Sequence, residues 1–268
     1  MANQDHPTPT PLKELAGKRA VVTGGSRGIG AAIVRNLLDA GAAVVTSARN
    51  PDAGLPSGAT FVKADLSTAD GVRAFADAAL DTLGGADIVV NNVGGVRSFH
   101  PVLELEKDWQ YTMDVNFLAS VRLNAALVPA LREAGGGTVV HVSTTATIAA
   151  YPMLYHYAAA NAALETYSKG LSTELAPDGI RVVSVCLGNV DTPASKSARG
   201  QIVEYFGGDP ASTDLDELAK QWAAEIPLGR LGRSQDVADA VSFLVSPRAS
   251  WITGSNVVID GGKTASLA

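Results

Sequence analysis

The chain has 268 residues, 46% of them hydrophobic and 18% charged, which is enough to build the core of one large α/β domain. Its formal net charge is −6, and no basic cluster stands out, so nucleic acid and anionic membrane surfaces are not expected partners. One cysteine excludes an intrachain disulfide, and no apolar run is long enough to span a membrane. We therefore expect a cytoplasmic protein. We also expect the polar residues 1–11 to form a disordered tail ahead of a single domain at 12–268.

Seven short apolar runs alternate with longer helical patterns along the chain. The runs are Arg19 to Thr23, Ala43 to Ser47, Thr60 to Ala64, Asp87 to Asn91, Thr138 to Ser143, Arg181 to Leu187 and Asn256 to Asp260. Most lack period-two alternation, which is typical of strands covered on both faces, and the intervening helices favour parallel pairing. The pattern predicts a single-domain, Rossmann-like, doubly wound parallel sheet of about seven strands with helices on both faces. Residues 192–226 do not continue this alternation of strands and helices, and we expect them to form a lid over a site at the carboxyl ends of the strands.

A glycine-rich loop directly follows the first run. Thr23 to Gly30 reads Thr-Gly-Gly-Ser-Arg-Gly-Ile-Gly, and an amphipathic helical pattern continues from it to Gly41. Glycines let the backbone approach a pyrophosphate, and the free N–H groups that open the helix would bind it. The loop also satisfies the Gly-x-Ser-x-Gly elbow of serine hydrolases at Ser26. Too little chain precedes Ser26 for the oxyanion loop of that fold, so we favour the nucleotide interpretation.

Further motifs join this loop. Asp65-Leu66 ends the third run, Asn91 to Gly94 ends the fourth, and Asp260-Gly261-Gly262 lies near the end of the chain. Together these motifs resemble the short-chain dehydrogenase/reductase family, and among its members the NADP-preferring 3-oxoacyl-acyl-carrier-protein reductases. The resemblance covers about Leu12 to Gly262. It implies a nicotinamide-dependent oxidoreductase with a small carbonyl or alcohol substrate and a homotetrameric or homodimeric assembly. No histidine pair has metal-ligand spacing with carboxylates, so we expect no metal.

The resemblance also implies which residues hold the cofactor. The matching positions are Gly24, Ser26, Arg27, Gly28, Ile29, Gly30, Arg49, Asp65, Leu66, Asn92, Gly94, Asn161, Gly188, Val190 and Thr192. Charge favours NADP(H) over NAD(H). Thr46 to Asn50, at the end of the second run, contain no carboxylate to hold a ribose 2′-hydroxyl or repel a 2′-phosphate. Arg49 and Arg27 would instead bind the phosphate through charge-assisted hydrogen bonds.

The catalytic pattern departs from the family. Its reactive Tyr is followed four residues later by Lys, with a Ser about thirteen residues before it and an Asn on an earlier helix. Here Tyr157 is followed by Asn161, Thr144 stands at the Ser position beside Ser143, and Asn116 matches the Asn. A Lys one turn along the helix would lower the pKa of the phenol, whereas Asn161 brings no charge.

Tyr157 is therefore expected to keep an ordinary pKa, and so to protonate a carbonyl oxygen well but to serve poorly as a base. His156 and His100 are the remaining weak candidates for the lost charge. The residues predict an NADPH-dependent carbonyl reductase or alcohol dehydrogenase in which Thr144 orients the substrate oxygen. Aromatic residues near the pocket, such as Tyr151 and Tyr205, favour an apolar substrate. Two alternatives stay open: a cofactor-bound enzyme of elimination, isomerisation or cyclisation, and an inactive NADP(H)-binding regulator.

Overall fold

The computed structural model describes residues 13–51, 54–149 and 151–265, so the predicted tail at 1–11 lies outside the described residues. The strands are β1 (Arg19–Thr23), β2 (Ala43–Ala48), β3 (Thr60–Lys63), β4 (Ile88–Asn91), β5 (Gly137–Thr144), β6 (Ile180–Leu187), β7 (Val190–Asp191), β8 (Gly232–Arg233) and β9 (Asn256–Ile259). The α-helices are α1 (Gly28–Asp39), α2 (Ala69–Leu83), α3 (Glu106–Met113), α4 (Ala119–Glu133), α5 (Tyr155–Leu175), α6 (Pro193–Tyr205), α7 (Leu215–Ala224) and α8 (Ser234–Val245). Within the described ranges, no helix has both the length and the apolar character needed to cross a bilayer.

Seven strands form one parallel sheet in the order β3-β2-β1-β4-β5-β6-β9. This arrangement confirms the predicted doubly wound α/β fold, and each predicted run forms a strand whose ends move by one residue at most. The sequence patterns missed a separate two-stranded ribbon of β7 and β8. Its strands have two residues each, which is too short for a periodicity signal.

The core forms two layers, one on each face of the sheet. Val22 and Val90 point into the layer built with α1 and α8, whereas Val21 and Val89 point into the layer built with α2 and α4. Because successive side chains of a strand point to opposite faces, a strand covered on both sides needs apolar residues at every position. This is the physical reason for the uninterrupted valine runs in the sequence.

The carboxyl ends of β1 and β4 are joined by one buried hydroxyl. Thr23 Oγ1 accepts the backbone N–H groups of Asn92 and Val93, each at 2.9 Å, and donates to Val90 O at 3.4 Å. The Asn92 side chain donates in return to Thr23 O at 2.9 Å. These bonds hold the glycine-rich loop after β1 against the loop after β4.

Residues 192–226 contain α6 and α7. Thr192 caps α6, since its Oγ1 accepts the Ser195 N–H at 3.0 Å, and Asp214 caps α7 in the same way. The segment is therefore two capped helices rather than an irregular loop. Its role as a lid stays a prediction.

Replacing Thr23 with Val should remove the acceptor for two buried N–H groups while keeping the shape of the side chain. We expect a loss of about 1–3 kcal/mol in the free energy of unfolding, because buried donors left without partners cost about that much. Urea denaturation measures the change, with Thr23→Ser, which retains the hydroxyl, as the control. Equal stability of the two variants would contradict the assigned role of the hydroxyl.

Candidate active site

A cavity of about 500 Å³ lies at the carboxyl ends of β1, β2, β3 and β4. Twelve of the fifteen predicted cofactor residues line it. These are Gly24, Ser26, Arg27, Gly28, Ile29, Gly30, Arg49, Asp65, Leu66, Asn92, Gly94 and Thr192. The other three, Asn161, Gly188 and Val190, are not among the residues of its wall.

The wall of this cavity at the glycine-rich loop is bare backbone. Gly24 and Gly28 adopt positive φ values of +70° and +56°, and a Cβ atom on Gly30 would overlap the carbonyl group of Gly24. No side chain caps α1, whose N-cap residue is Arg27. The opening turn of α1 therefore presents backbone N–H groups and the positive end of the helix dipole to the cavity, which fits the phosphates of a dinucleotide.

The wall after β2 carries positive charge and one hydroxyl group that lacks a partner. Arg49 and Arg27 are exposed and line the cavity, and no carboxylate lies in the stretch 47–51 that completes this wall. Ser47 Oγ is buried against the cavity and has no hydrogen-bond partner among the residues that the structure describes. The sequence analysis missed Ser47, although its place at the end of β2 was a signal for it.

Asp65 lies at the end of β3 and faces the same cavity. Hydrogen bonds from the hydroxyl and backbone N–H of Ser67, at 2.7 and 3.0 Å, hold the pKa of Asp65 below its ordinary value. The charges of Arg49 and Arg97 lower this pKa further. Asp65 is therefore ionised at neutral pH and offers hydrogen-bond acceptors to the cavity at the end of the strand next to β2.

Tyr157 lies near the start of α5 and is half-buried, with its phenol facing the Thr144 hydroxyl at the end of β5. Burial raises the pKa of Tyr157 above its ordinary value of 10.0, and the nearby Cys186 raises it further. The expectation of an ordinary pKa was therefore wrong, because packing of α5 against the sheet removes water from the phenol. Among the described residues, no cation contributes to this shift.

Asn161 does not replace the missing charge. Its buried amide turns back on α5, where Nδ2 donates to the carbonyl oxygen of Tyr157 at 2.9 Å. The Nδ2 group is therefore hydrogen-bonded within its own helix, and Asn161 is not among the residues that line the 500 Å³ cavity, so its contact with a cofactor stays a prediction. Lys169 is also directed elsewhere, since its Nζ donates to Gly254 O at 3.1 Å.

The two histidines do not supply the charge in this structure. His156 is buried beside Trp109, with 6.2 Å between the ring centroids, and burial lowers its pKa, so it is neutral at pH 7. Its ring therefore points towards α3, on another side of α5 from Asn161. His100 is exposed in the loop before α3.

A carboxylate that the sequence analysis missed lies one turn beyond Asn161. Glu165 Oε1 accepts hydrogen bonds from Ser143 at 2.5 Å, Thr147 at 3.0 Å and the Cys186 thiol at 3.0 Å. The spacing Tyr157, Asn161, Glu165 was an available signal, since residues four apart share a helix face. Ser143 and Thr144 therefore face different groups: Ser143 donates to Glu165, and the Thr144 hydroxyl lies beside the phenol.

Cys186 stays protonated in this cluster. Its burial and the neighbouring Glu165 raise the pKa of the thiol to about 12, so a thiolate does not form near neutral pH. The thiol instead donates to Glu165, and its strand position directly opposite Ser143 on β5 explains why both reach the same carboxylate.

Asn116 lies in a π-helical turn, Asp114–Leu118, between α3 and α4. Its Oδ1 accepts the Gly95 N–H at 2.8 Å, and its Nδ2 donates to Gly95 O and Thr112 O at 2.9 Å each. Asn116 therefore fixes the loop after β4, which contributes Gly94 to the cofactor cavity. A Cβ atom on Gly94 would come within 2.8 Å of Asn116 Oδ1, so the close approach favours glycine.

The remaining predicted residues lie after β6. Gly188 packs directly against Asp260, where a Cβ atom would come within 2.6 Å of the Asp260 Cβ. Val190 belongs to β7 and lines a smaller cavity of about 130 Å³. Thr192 lines the dinucleotide cavity, although its hydroxyl oxygen also caps α6.

A third cavity, of about 280 Å³, begins one residue after Thr144. It is lined by Thr145, Ile148, Ala149, Tyr151, Asn189, Lys263, Thr264 and Ala265. Of the aromatic residues expected near the substrate, Tyr151 lines this cavity, whereas Tyr205 packs edge-on against Phe206 in α6 and lies outside its wall.

Comparison with known proteins finds relatives over nearly the whole chain. Residues 24–264 match the family model described as enoyl-(acyl carrier protein) reductase. The 3-oxoacyl-[acyl-carrier-protein] reductase FabG of Chlamydia muridarum is 32% identical over 258 residues, which cover 92% of this chain and 98% of that protein. The 4-formylbenzenesulfonate dehydrogenase TsaC1/TsaC2 of Comamonas testosteroni is 36% identical over 255 residues, covering 91% and 96%.

Solved structures show the same fold. The L-sorbose reductase of Gluconobacter frateurii, determined with NADPH and L-sorbose, superposes with a TM-score of 0.85 at 31% identity and covers 95% of this chain and 99% of its own. The ligand-free aldohexose dehydrogenase of Thermoplasma acidophilum also gives a TM-score of 0.85, at 26% identity, covering 95% and 97%. With its seven-stranded parallel sheet and glycine-lined cavity, the chain belongs to the short-chain dehydrogenase/reductase family, whose members are nicotinamide-dependent oxidoreductases acting on CH–OH and C=O groups.

Proposed function

We propose that this protein is an NADPH-dependent carbonyl reductase in which Tyr157 acts as a neutral acid. The observation that carries the proposal is the position of the Tyr157 phenol, which is largely removed from water and faces the Thr144 hydroxyl at the carboxyl end of the sheet. A bound nicotinamide supplies the hydride for the carbonyl carbon. The chain's own residues then have to hold the substrate oxygen and protonate it.

Tyr157 and Thr144 are suited to that task. A phenol whose pKa is raised by burial remains protonated at neutral pH, so it can donate its proton to the oxygen that receives negative charge. Thr144 can share the same oxygen, since its hydroxyl already lies beside the phenol. Ser143 and Thr147, both bonded to Glu165, flank Thr144 and restrict the movement of this strand end.

The preference for NADP(H) rests on charge. Arg27 and Arg49 line the cavity close to the end of β2, and neither is paired in the described ion pairs of the chain. The hydroxyl of Ser47 adds a hydrogen-bonding group without a partner at the same wall. Such a wall suits a 2′-phosphate. The similar L-sorbose reductase, solved with NADPH, supports this assignment by analogy.

The substrate is proposed to be a small carbonyl compound. The similar proteins are named for 3-oxoacyl, 4-formylbenzenesulfonate and L-sorbose chemistry, and each of these names describes a carbonyl compound. Thr192 to Ala194 line the dinucleotide cavity at the start of α6. We therefore propose that residues 192–226 close over the bound ligands as a lid, while a homotetramer or homodimer is proposed by family analogy alone.

Replacing Tyr157 with Phe tests the proposed acid. We expect kcat/KM for aldehyde or ketone reduction to fall by about 10²–10⁴, because a positioned acid contributes about that factor. The Kd for NADPH should stay the same, and Thr144→Ser should keep most activity because the hydroxyl is retained. Product formation without NADPH consumption would instead indicate a non-redox enzyme. Tight NADPH binding without turnover across a carbonyl panel would indicate a regulator.

The reverse reaction should depend steeply on pH. Alcohol oxidation needs the phenolate of Tyr157, and burial raises the pKa of this group above 10.0. We therefore expect kcat/KM for oxidation to rise about tenfold per pH unit from about pH 7 to 9, while reduction stays nearly constant. A flat oxidation profile over this range, in rapid assays at each pH, would contradict the proposal.

The variant Asn161→Lys provides the matched comparison for that profile. An ammonium one helical turn from Tyr157 should favour the phenolate, so the rise in oxidation should move towards neutral pH. Asn161→Met adds similar bulk without charge and should leave the profile of the unmodified protein in place.

Cofactor choice is tested by changing the wall after β2. The double variant Ala48→Asp, Arg49→Ala places a carboxylate where a 2′-phosphate would lie and removes a cation. It should reverse the NADPH/NADH preference, measured as Kd values by nucleotide fluorescence. Arg35→Ala, an exposed arginine of α1 away from the cavity, serves as the control. Unchanged constants in the double variant would overturn the assignment.

A further inference from the structure

We infer that the cavity beside Thr144 takes a carbonyl substrate bearing a carboxylate or a similar anionic group, and that Lys263 binds this group. The inference rests on the proposed reductase function and extends it to a substrate class. The cavity has a volume of about 280 Å³, which is enough for a small substituted aromatic or short-chain compound.

The position of the cavity connects it with the proposed acid. Its first wall residue, Thr145, directly follows Thr144, and Asn189 contributes from the loop after β6. Thr145 and Asn189 lie at the same carboxyl edge of the sheet. They follow Thr144 and Leu187, which are the last paired residues of the parallel strands β5 and β6. A carbonyl held by Thr144 would therefore direct the rest of the substrate into this cavity.

The chemistry of the wall indicates what that remainder carries. Ile148, Ala149 and Tyr151 offer apolar contact, and Lys263 is the charged member of the described wall. An apolar cavity with one cation favours a compound with an apolar body and a single negative group. A neutral substrate of the same size would leave the ammonium without an anionic partner inside the cavity.

Lys263 is held in place by the turn that contains it. The two carboxylate oxygens of Asp260 accept the backbone N–H groups of Gly262 at 2.8 Å and Thr264 at 2.7 Å. The Lys263 side chain is only 23% exposed, and its Nζ bonds to Glu225 Oε2 at 3.0 Å. Because an ammonium has three donors, this single bond leaves capacity for an anion.

The ion pair with Glu225 allows anion binding by Lys263 to be distinguished from a purely structural role. Its side chain is 63% exposed, so it competes for Lys263 from the solvent side rather than from within the cavity. If Lys263 binds a substrate anion, removing the Glu225 charge should strengthen that binding. If Lys263 only ties the turn to α7, removing either partner should have the same effect on all substrates.

The experiment compares 4-formylbenzoate with its neutral methyl ester as substrates for NADPH oxidation. We expect the unmodified protein to favour the carboxylate by about tenfold or more in kcat/KM, and Lys263→Met to bring the ratio close to one. Lys263→Arg should retain the preference, and Glu225→Gln should increase it severalfold. Lys220→Met, which removes an exposed lysine of α7, is the control and should leave the ratio unchanged.

Two results would overturn the inference. The first is an equal ratio of kcat/KM values for the two substrates in the unmodified protein and in Lys263→Met. The second is a loss of activity in both Lys263→Met and Glu225→Gln that is the same for the carboxylate and for the ester. Calorimetry with 4-(hydroxymethyl)benzoate and NADP-loaded protein separates this inference from the reductase proposal. Binding that weakens at least tenfold in Lys263→Met, without turnover of either aldehyde, would support the anion site while contradicting the reductase. Binding that does not depend on Lys263 would contradict the site whatever the activity.

Discussion

Parallel pairing in register brings the carboxyl ends of β1, β4 and β5 to one edge of the sheet, and every part of the proposed site depends on this alignment. The Thr23 hydroxyl joins the first two strand ends, and Thr144 ends the third. The hydrogen bonds of Thr23 and the close packing of helices on both faces hold these strand ends in register. This alignment fixes the relative positions of three parts of the proposed site: the glycine-rich loop, the loop after β4, and the pair formed by Tyr157 and Thr144.

The charges around Tyr157 differ from those that the catalytic pattern of the family would give. Asn161 stands where a lysine is expected and bonds to its own helix, while one turn further on Glu165 accepts three hydrogen bonds from Ser143, Thr147 and Cys186. The positive charge of a lysine is therefore absent from this face of α5, and Glu165 adds a carboxylate to it. Burial then acts in the same direction by disfavouring the phenolate. The site is consequently arranged for donating a proton rather than accepting one.

The sequence predicted the fold closely because continuous valine runs and helical periodicity are local signals of a covered parallel sheet. The glycines of the cofactor cavity were also predictable, since Gly24 and Gly30 meet local backbone demands. The pKa of Tyr157, the contacts of Glu165 and the free hydroxyl of Ser47 were not predicted, because each depends on which distant segment packs against it. The inward turn of Asn161 escaped prediction because an amide can equally bond a ligand or its own helix.

The central claim is that Tyr157 keeps its proton without a neighbouring cation. It is tested most directly by titrating this single side chain, with ¹³C-labelled tyrosine in the protein and Tyr157→Phe to assign its resonance. The Tyr157 resonance should keep the chemical shift of a protonated phenol up to about pH 9, because burial raises its pKa above the ordinary value of 10.0. A transition to phenolate near neutral pH would contradict the account and would require a cation that the described residues do not place beside the ring.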